Sequence, residues 1–430
     1  MRPDRMKLHW QIFIALALAV VAGLLTPVSG LQDYLVPGYD FFGTLFLNAL
    51  KMLIVPLIVA SMISSLLNLG SGPQIGRYGA MTVAYYLTTS LLAILVGLFW
   101  VNLFSPGLVD GQPGRELLGL DASTDEVLQQ MEGRGAGDIV SVFLRLVPTN
   151  VFLAAAEGQM LGLIFFSLLF GFFISRLPVR LSEVQKHFWE GIYEVMIRMT
   201  NFIMLLAPLG VFALVAEVVA TTGWTVFRSL GVFVVTVLLS LACHLLITLP
   251  LLLMLVGRVR PWRQFRAMTP ALLTAFSTSS SSATLPVTLR CVEERAGVNK
   301  ETSSLVLPLG ATINMDGTAL FECVAALFIA QAYGLEMTFG VQFVVVFTAL
   351  LTSVGVAGIP SASLVAIGVI LAAIGLPLEG VGLILAVDRV LDMCRTSVNV
   401  FSDGCGAVII ARLSGQKDVL SGPESQASAA

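Results

Sequence analysis

The stretch from Ala386 to Ala411 constrains this chain more than any other. It is apolar enough to cross a bilayer, yet it carries Asp388, Asp392, Arg395, Asn399 and Asp403. These positions step by four, three, four and four, so at about 100° per residue they fall on one helical stripe, with Thr396 beside it. Each charge held at a bilayer centre costs about 2.5–3.5 kcal/mol on insertion scales. One Asp–Arg pair neutralises itself, but the further aspartates find only Arg389 on the same helix. A purely structural ion-pair row is the plainer reading. The surplus of acids favours a functional one, because ionisable residues at membrane depth mark pathways for charged solutes. The helix is predicted to bind cations together with an anion-bearing solute.

The composition around it is that of a bilayer resident. Of 430 residues, 57% are hydrophobic and 12% charged. That is about half the charged share of a soluble domain. Apolar spans run Trp10–Leu25, Phe41–Leu69, Ala80–Phe104, Gln159–Ser175, Glu190–Val219 and Leu230–Val256, each able to cross about 30 Å of hydrocarbon.

The net charge of −3 says little, whereas the placement of the basic residues says more. Arg2, Arg5 and Lys7 precede the first span; Arg77 follows the second; Arg176, Arg180 and Lys186 follow the fourth; Arg258, Arg260, Arg263 and Arg266 follow the sixth. Arg412 and Lys417 close the last helix. By the positive-inside rule both termini are predicted to be cytoplasmic, in a multi-pass plasma-membrane protein. The absence of an Asn-x-Ser/Thr sequon agrees with a bacterial inner membrane. Cys243, Cys291, Cys323, Cys394 and Cys405 have no metal or disulfide spacing and read as small apolar fillers. The first span lacks an A-x-A cleavage site and reads as a retained helix.

After Val256 the pattern changes. Pro270–Phe276 and Leu285–Val292 are apolar arms too short to span, joined by the Ser277–Ser282 run. Pro286 after a capping-type Thr284 is predicted to open the second arm, giving a re-entrant hairpin. Ser303–Ala330 would span, but Asn314-Met315-Asp316-Gly317-Thr318 interrupts it at mid-depth, where exposed backbone is tolerated only if it lines a cavity. Phe343–Val354 and Leu364–Ile374 flank Gly355–Ser363 as a second hairpin, entering from the other side. Two hairpins of opposite entry, each followed by a helix polar at mid-depth, read as an inverted repeat of a secondary transporter. Ser105–Asp138 reads as an external loop, followed by a short amphipathic helix up to Val151, and Ser414–Ala430 as a disordered tail.

The longer motifs are specific enough to carry a resemblance. Ser279-Ser-Ser-Ser-Ala-Thr-Leu-Pro286, Gly310-Ala-Thr-Ile-Asn-Met-Asp-Gly-Thr318, Ala357-Gly-Ile-Pro360, Asp392-Met-Cys-Arg-Thr-Ser-Val-Asn399 and the Lys51–Pro56 core are similar to the glutamate/aspartate transporter family, the dicarboxylate/amino acid:cation symporters. A relative of that family is built from inverted-topology repeats. The resemblance implies an all-α polytopic fold of about eight transmembrane helices plus two re-entrant helical hairpins, working as an elevator in a homotrimer. It divides the chain into scaffold (1–78, helices one and two), transport helix three (79–104), external loop (105–138), scaffold (139–222), transport domain (223–413) and cytoplasmic tail (414–430).

The implied partners are an acidic amino acid, sodium ions and the lipid bilayer, with proton co-transport and potassium counter-transport left open; nucleic acid and enzymatic chemistry are not implied. For the substrate, Arg395 would fork onto the side-chain carboxylate and Asp392 would take the ammonium. Thr318, Asn399, Ser280, Ser281 and Ser282 would hold the α-carboxylate beside Thr396, and Gly358, Ile359 and Ser363 would close over it. For sodium, one implied site uses Asp403, Asn314 by side chain or backbone, and the carbonyls of Gly310 and Asn399. A second uses carbonyls of Thr312, Ser353, Val354 and Val356. A third joins Asp316 and Asn314 to Tyr86, Thr89 and Ser90, which alone would read as a helix-packing patch.

Arg395 implies an acidic substrate and Asp392 an amino acid rather than a plain diacid. Glu322 lies one turn beyond Thr318, where proton-coupled relatives carry Glu; it is either a proton carrier or a hydrogen-bonded bundle residue. Some relatives carry an arginine where this chain has Ser279 or Met393, and Arg389, one turn before Met393, could reach the same space. Ser363 replaces a common glycine. The rival classes fare worse. An intramembrane serine hydrolase needs a Ser–His or Ser–Lys pair, and His244, the one histidine deep in a span, reads as a satisfied core or cavity-facing side chain. A channel needs a pore rather than paired charges. Within transporters, a proton-driven or C4-dicarboxylate carrier is the alternative.

Overall fold

A computed structural model of the chain describes residues 8–67, 73–109, 111–114, 144, 147–156, 160–222, 226–335, 337–353, 363–377 and 380–420. It is mostly helical. Helices α1 (Leu8–Ser29) and α3 (Pro73–Phe104) contain the first and third predicted spans, and α2 (Gln32–Leu67) covers the second as far as Leu67, with 68–69 outside the described residues; all three begin before the span they carry. Hydropathy marks the part that lies in oil, whereas backbone hydrogen bonding continues into polar flanks. Asp33 in the first turn of α2 and Pro73 at the start of α3 suit helix N-termini.

Within Ser105–Asp138, Leu108–Val109 and Gln112–Pro113 pair as a two-residue antiparallel ribbon, and 115–138 lie outside the described residues. Helix α4 (Val151–Ala156) starts where the expected short helix was to end, because Asn150 Oδ1 accepts from Phe152 N (2.9 Å) and Leu153 N (3.1 Å).

Helix α5 (Met160–Ile174) matches the fourth span. The fifth does not stay whole. It divides between α6 (Val179–Met204) and α7 (Ala207–Thr222), with Leu205 and Leu206 donating three residues back in a tightened turn. Pro208 explains the break: it has no N–H to return to Met204, and its ring crowds that carbonyl. The sixth span bulges rather than breaks. Between α8 (Val226–Cys243) and α9 (Leu249–Leu255), His244–Thr248 form a π turn, and Leu249 N–H reaches back five residues to His244 O. Pro250 cannot supply the next α-type bond, so one extra residue is accommodated.

Helix α10 (Pro261–Thr278) ends on Ser279 in the left-handed conformation (φ 50°, ψ 37°), and α11 (Ser281–Arg290) starts two residues later and packs against it. The expected cap at Thr284 is corrected here. Ser280 is extended and its side chain accepts from Ala283 N at 3.2 Å, while the Thr284 hydroxyl donates back to Ser280 O at 2.8 Å. Pro286 therefore sits inside α11.

Asn299 Oδ1 accepts from Thr302 N at 3.0 Å and starts α12 (Lys300–Ile313). The chain leaves the helix at Asn314 and Met315, and α13 (Asp316–Ala332) resumes from the predicted interruption. Helices α14 (Phe339–Ser353) and α15 (Ser363–Ile374) flank 354–362, which lie outside the described residues. Helix α16 (Val381–Leu413) contains the charged stripe without a proline.

The tail is not free at its start. Val419 and Leu420 are buried, Leu420 N donates to Ala296 O (2.8 Å), and Arg263 Nη1 donates to Leu420 O (2.7 Å). Two apolar side chains closing a loop against α10 outweigh the polar composition that suggested disorder; 421–430 lie outside the described residues.

Packing is organised around α13, every residue of which is buried. A helix buried all round belongs to the centre of a bundle. It is flanked by α3, α8, α14, α15 and α16, and α16 in turn packs on α10 and α12. Helices α1, α2, α5, α6 and α7 pack mainly on one another. Their outer faces expose large apolar side chains such as Leu18, Phe41, Phe173 and Phe202. Tyr78–Phe104, Leu230–Leu255 and Lys300–Ala332 are long and apolar enough to cross a membrane. The chain is a membrane protein.

Candidate substrate and cation site

The stripe on α16 faces inward along its whole length. Asp388, Asp392, Arg395, Thr396, Asn399 and Asp403 are all buried, Arg395 to within 1% of full burial. The two ends of the stripe are wired differently.

At the upper end, charges pair with one another. Arg395 Nε donates to Asp392 Oδ1 (3.0 Å), and Nη2 lies 2.9 Å from both Asp392 Oδ1 and Asp388 Oδ1. Arg389 Nη1 approaches Asp392 Oδ2 at 3.7 Å. The guanidinium carbon sits 4.2 Å from the Phe321 ring centroid, a cation–π contact. Among the described residues, Arg395 Nη1 nevertheless has no hydrogen-bond partner. A buried donor left that way costs about 1–3 kcal/mol, more when charged, so the guanidinium is set up to take a further acceptor. Two aspartates and two arginines leave this end neutral.

The middle of the stripe is held by backbone and amide. Asn399 Oδ1 accepts from Gly317 N (2.7 Å), and its Nδ2 donates to Thr318 Oγ1 (3.1 Å). The approach is possible because residue 317 is glycine: a Cβ there would stand 2.5 Å from Arg395 O. Glu322, one turn along α13, accepts from Thr352 Oγ1 at 3.0 Å, while among the described residues its Oε1 has no hydrogen-bond partner.

At the lower end the acids cluster with neutral oxygens. Asn314 Nδ2 donates to Asp403 Oδ1 (2.9 Å) and Ser402 Oγ (3.0 Å); Thr89 Oγ1 approaches Asn314 Oδ1 at 3.4 Å. Asp316 accepts from Ser90 Oγ on Oδ1 (2.8 Å), and on Oδ2 from Ser402 Oγ (2.6 Å) with His244 Nε2 at 3.1 Å. A Cβ at Gly310 would collide with Asp403 Oδ1 and stand 2.6 Å from the Tyr86 hydroxyl, which itself donates to Val306 O (2.7 Å). Among the described residues, no Lys or Arg pairs with Asp316 or Asp403. Oxygen-rich, negatively charged and dry, the cluster has the chemistry that hard monovalent cations require.

The structure thus joins Arg395, Asp392, Asn399 and Thr318, and separately Tyr86, Thr89, Ser90, Gly310, Asn314, Asp316 and Asp403. Ser280, Ser281 and Ser282 stand at the start of α11, which packs on α16. The Thr312 hydroxyl is taken up by Leu309 O (2.9 Å) and that of Ser353 by Leu350 O (2.9 Å), which leaves their expected carbonyl roles untouched. Among the described residues, buried Ser363 has no partner for its Oγ. Val354, Val356, Gly358 and Ile359 lie outside the described residues. Sequence reasoning missed three members: Asp388 as a second partner of Arg395, and Ser402 and His244 as donors to Asp316. Asp388 and Ser402 were findable, since they lie seven residues either side of Arg395.

The family model described as "Sodium:dicarboxylate symporter family" matches residues 8–413. The chain is 34% identical to the proton/glutamate-aspartate symporter of Escherichia coli, over 96% of this chain and 94% of that one. It is 36% identical to the mouse excitatory amino acid transporter 3 (94% and 86%). It is 35% identical to the proton/sodium-glutamate symport protein of Bacillus subtilis (96% and 94%).

Proposed function

From the premise that the chain belongs to the sodium:dicarboxylate symporter family, we propose that it imports acidic amino acids, glutamate or aspartate, coupled to sodium. The observation that carries this is Arg395, buried between Asp388 and Asp392 with Nη1 unbonded, on the same helix as Asp403 and its oxygen cluster. A planar guanidinium with a spare donor suits a carboxylate, and Asp392 suits an ammonium. An acidic amino acid brings one net negative charge to an end that is already neutral. Asp316 and Asp403 add two more, so cations must accompany the substrate into so dry a site.

On this reading Asn399, Thr318 and the start of α11 receive the α-carboxylate beside Thr396, with the segment around Gly358, Ile359 and Ser363 as the gate. Sodium is held by Asp403, Asn314, Gly310 and Asn399; by Asp316, Asn314, Tyr86, Thr89 and Ser90; and by carbonyls of Thr312, Ser353, Val354 and Val356. The division of contacts between α1, α2, α5, α6 and α7 on one side and α3 with α8–α16 on the other supports a fixed scaffold and a moving transport domain. The pairs α10–α11 and α14–α15 serve as the two re-entrant hairpins. The working unit is a homotrimer in the plasma membrane, with both termini cytoplasmic.

The test is uptake of labelled aspartate, glutamate and succinate into proteoliposomes, with sodium, proton and potassium gradients imposed singly. Sodium-driven uptake of the two amino acids is expected; uptake indifferent to every sodium gradient would refute the proposal. Glu322 supports a second, compatible reading in which a proton travels too, since its Oε1 is buried without a partner. Glu322→Gln is expected to make uptake insensitive to an imposed pH gradient, and a variant that keeps its proton sensitivity removes Glu322 from the mechanism.

A further inference from the structure

We infer that His244 is a positioning residue of the cation site, its Nε2–H fixing the orientation in which the Asp316 carboxylate meets a cation. The inference rests on the symport reading above and adds to its site a residue that does not itself bind the ion.

His244 is fully buried, with Nε2 3.1 Å from Asp316 Oδ2. An ionised carboxylate only accepts, so the proton of that contact is assigned to Nε2. Among the described residues Nδ1 has no hydrogen-bond partner, so Nε2 is the ring nitrogen that the contact with Asp316 orients. Asp316 is then gripped on both oxygens from three helices: Ser90 on α3, Ser402 on α16 and His244 at the end of α8. The grip matters because the terminal torsion of an aspartate is broad and two-fold, so a carboxylate with fewer anchors can turn away. A neutral donor also keeps the site's negative charge, whereas Lys or Arg at the same place would neutralise it and stand in for the cation.

The local backbone serves this contact. The π turn at His244–Thr248 inserts one residue into an otherwise α-helical span, and one residue is about 100° of rotation for everything on one side of it relative to the other. Pro250 is what the turn accommodates. Such bulges are frequent at functional sites, and here the bulge opens with His244, whose side chain meets Asp316.

The test uses the full-length protein in proteoliposomes at fixed pH. His244→Leu is expected to raise the sodium concentration for half-maximal amino acid uptake by about tenfold or more, the usual effect of losing a residue that orients a metal ligand. Half-saturation by the amino acid at saturating sodium should stay within about twofold, because Arg395 and Asn399 are untouched. His244→Gln, whose amide can still donate, should remain close to the wild type. Unchanged sodium dependence in His244→Leu overturns the inference, as does an equal shift in sodium and substrate dependence, the mark of loosened packing. Should the leucine variant not be recovered folded, His244→Gln and His244→Asn decide: the shorter amide should lose sodium affinity and the longer one keep it, and equal behaviour overturns the inference. A wild type indifferent to sodium overturns both readings; a sodium-responsive wild type matched by His244→Leu overturns this one alone.

Discussion

The two ends of α16 solve the problem of buried charge in opposite ways. Around Arg395 the protein supplies both signs, and Asp388, Asp392, Arg389 and Arg395 balance one another. Around Asp403 it supplies two carboxylates with no Lys or Arg partner among the described residues, set among Asn314, Ser402, Ser90 and His244. A balanced end can stand unliganded and still offer a spare donor; an unbalanced end needs cations to complete it. Under the proposed function, the charged amino acid goes to the first and the driving ions to the second. That division also says which substitutions should affect which ligand.

The largest effect should come from Arg395→Ala. It turns the balanced end negative and leaves two buried carboxylates underpaired, so acidic amino acid uptake should fall by about 2–5 kcal/mol of binding energy, at least about thirtyfold in half-saturation. Sodium dependence measured by sodium-induced stabilisation of the purified protein should survive. If it vanishes as well, the two ends are not separable.

Next comes Asp403→Asn, which halves the charge of the acid cluster while keeping its shape. Half-maximal sodium should rise by about 10–100-fold, read from uptake at stepped sodium concentrations, with amino acid affinity restored at saturating sodium. A loss that sodium cannot rescue would count against the division of roles.

Smallest is Asp388→Asn. It removes the charge that competes with a substrate carboxylate for Arg395 Nη2 and makes the upper end net positive. Acidic substrates should bind about threefold tighter, less than 1 kcal/mol, in equilibrium binding assays at saturating sodium. Weaker binding would mean that Asp388 aligns Arg395 rather than competing for it.

Much of this was legible in the residue order because charge in oil is so costly that only a few arrangements remain. The four-three-four-four step of α16 and the interruption at Asn314–Asp316 both appear where expected. What escaped depends on backbone detail that hydropathy averages away. Pro208 splits an apolar run that reads as continuous, and Ser280 rather than Thr284 caps α11 because only its extended backbone brings the hydroxyl to Ala283 N. His244 reads as a satisfied core or cavity-facing side chain, and it is buried with a partner; that the partner is Asp316 depends on a π turn that hydropathy does not show. The tail beyond Leu413 looked too polar to dock, yet two apolar residues near its start are enough to hold it.

Helix α16 runs from Val381 to Leu413 as one piece, and Asp388 and Asp403 are separated along it by about 22 Å of regular rise. Nothing hinged lies between them. Any displacement that delivers one set of charges to the far face of the membrane delivers the other in the same stroke, so fidelity of coupling would be a property of stiffness rather than of any sensing event.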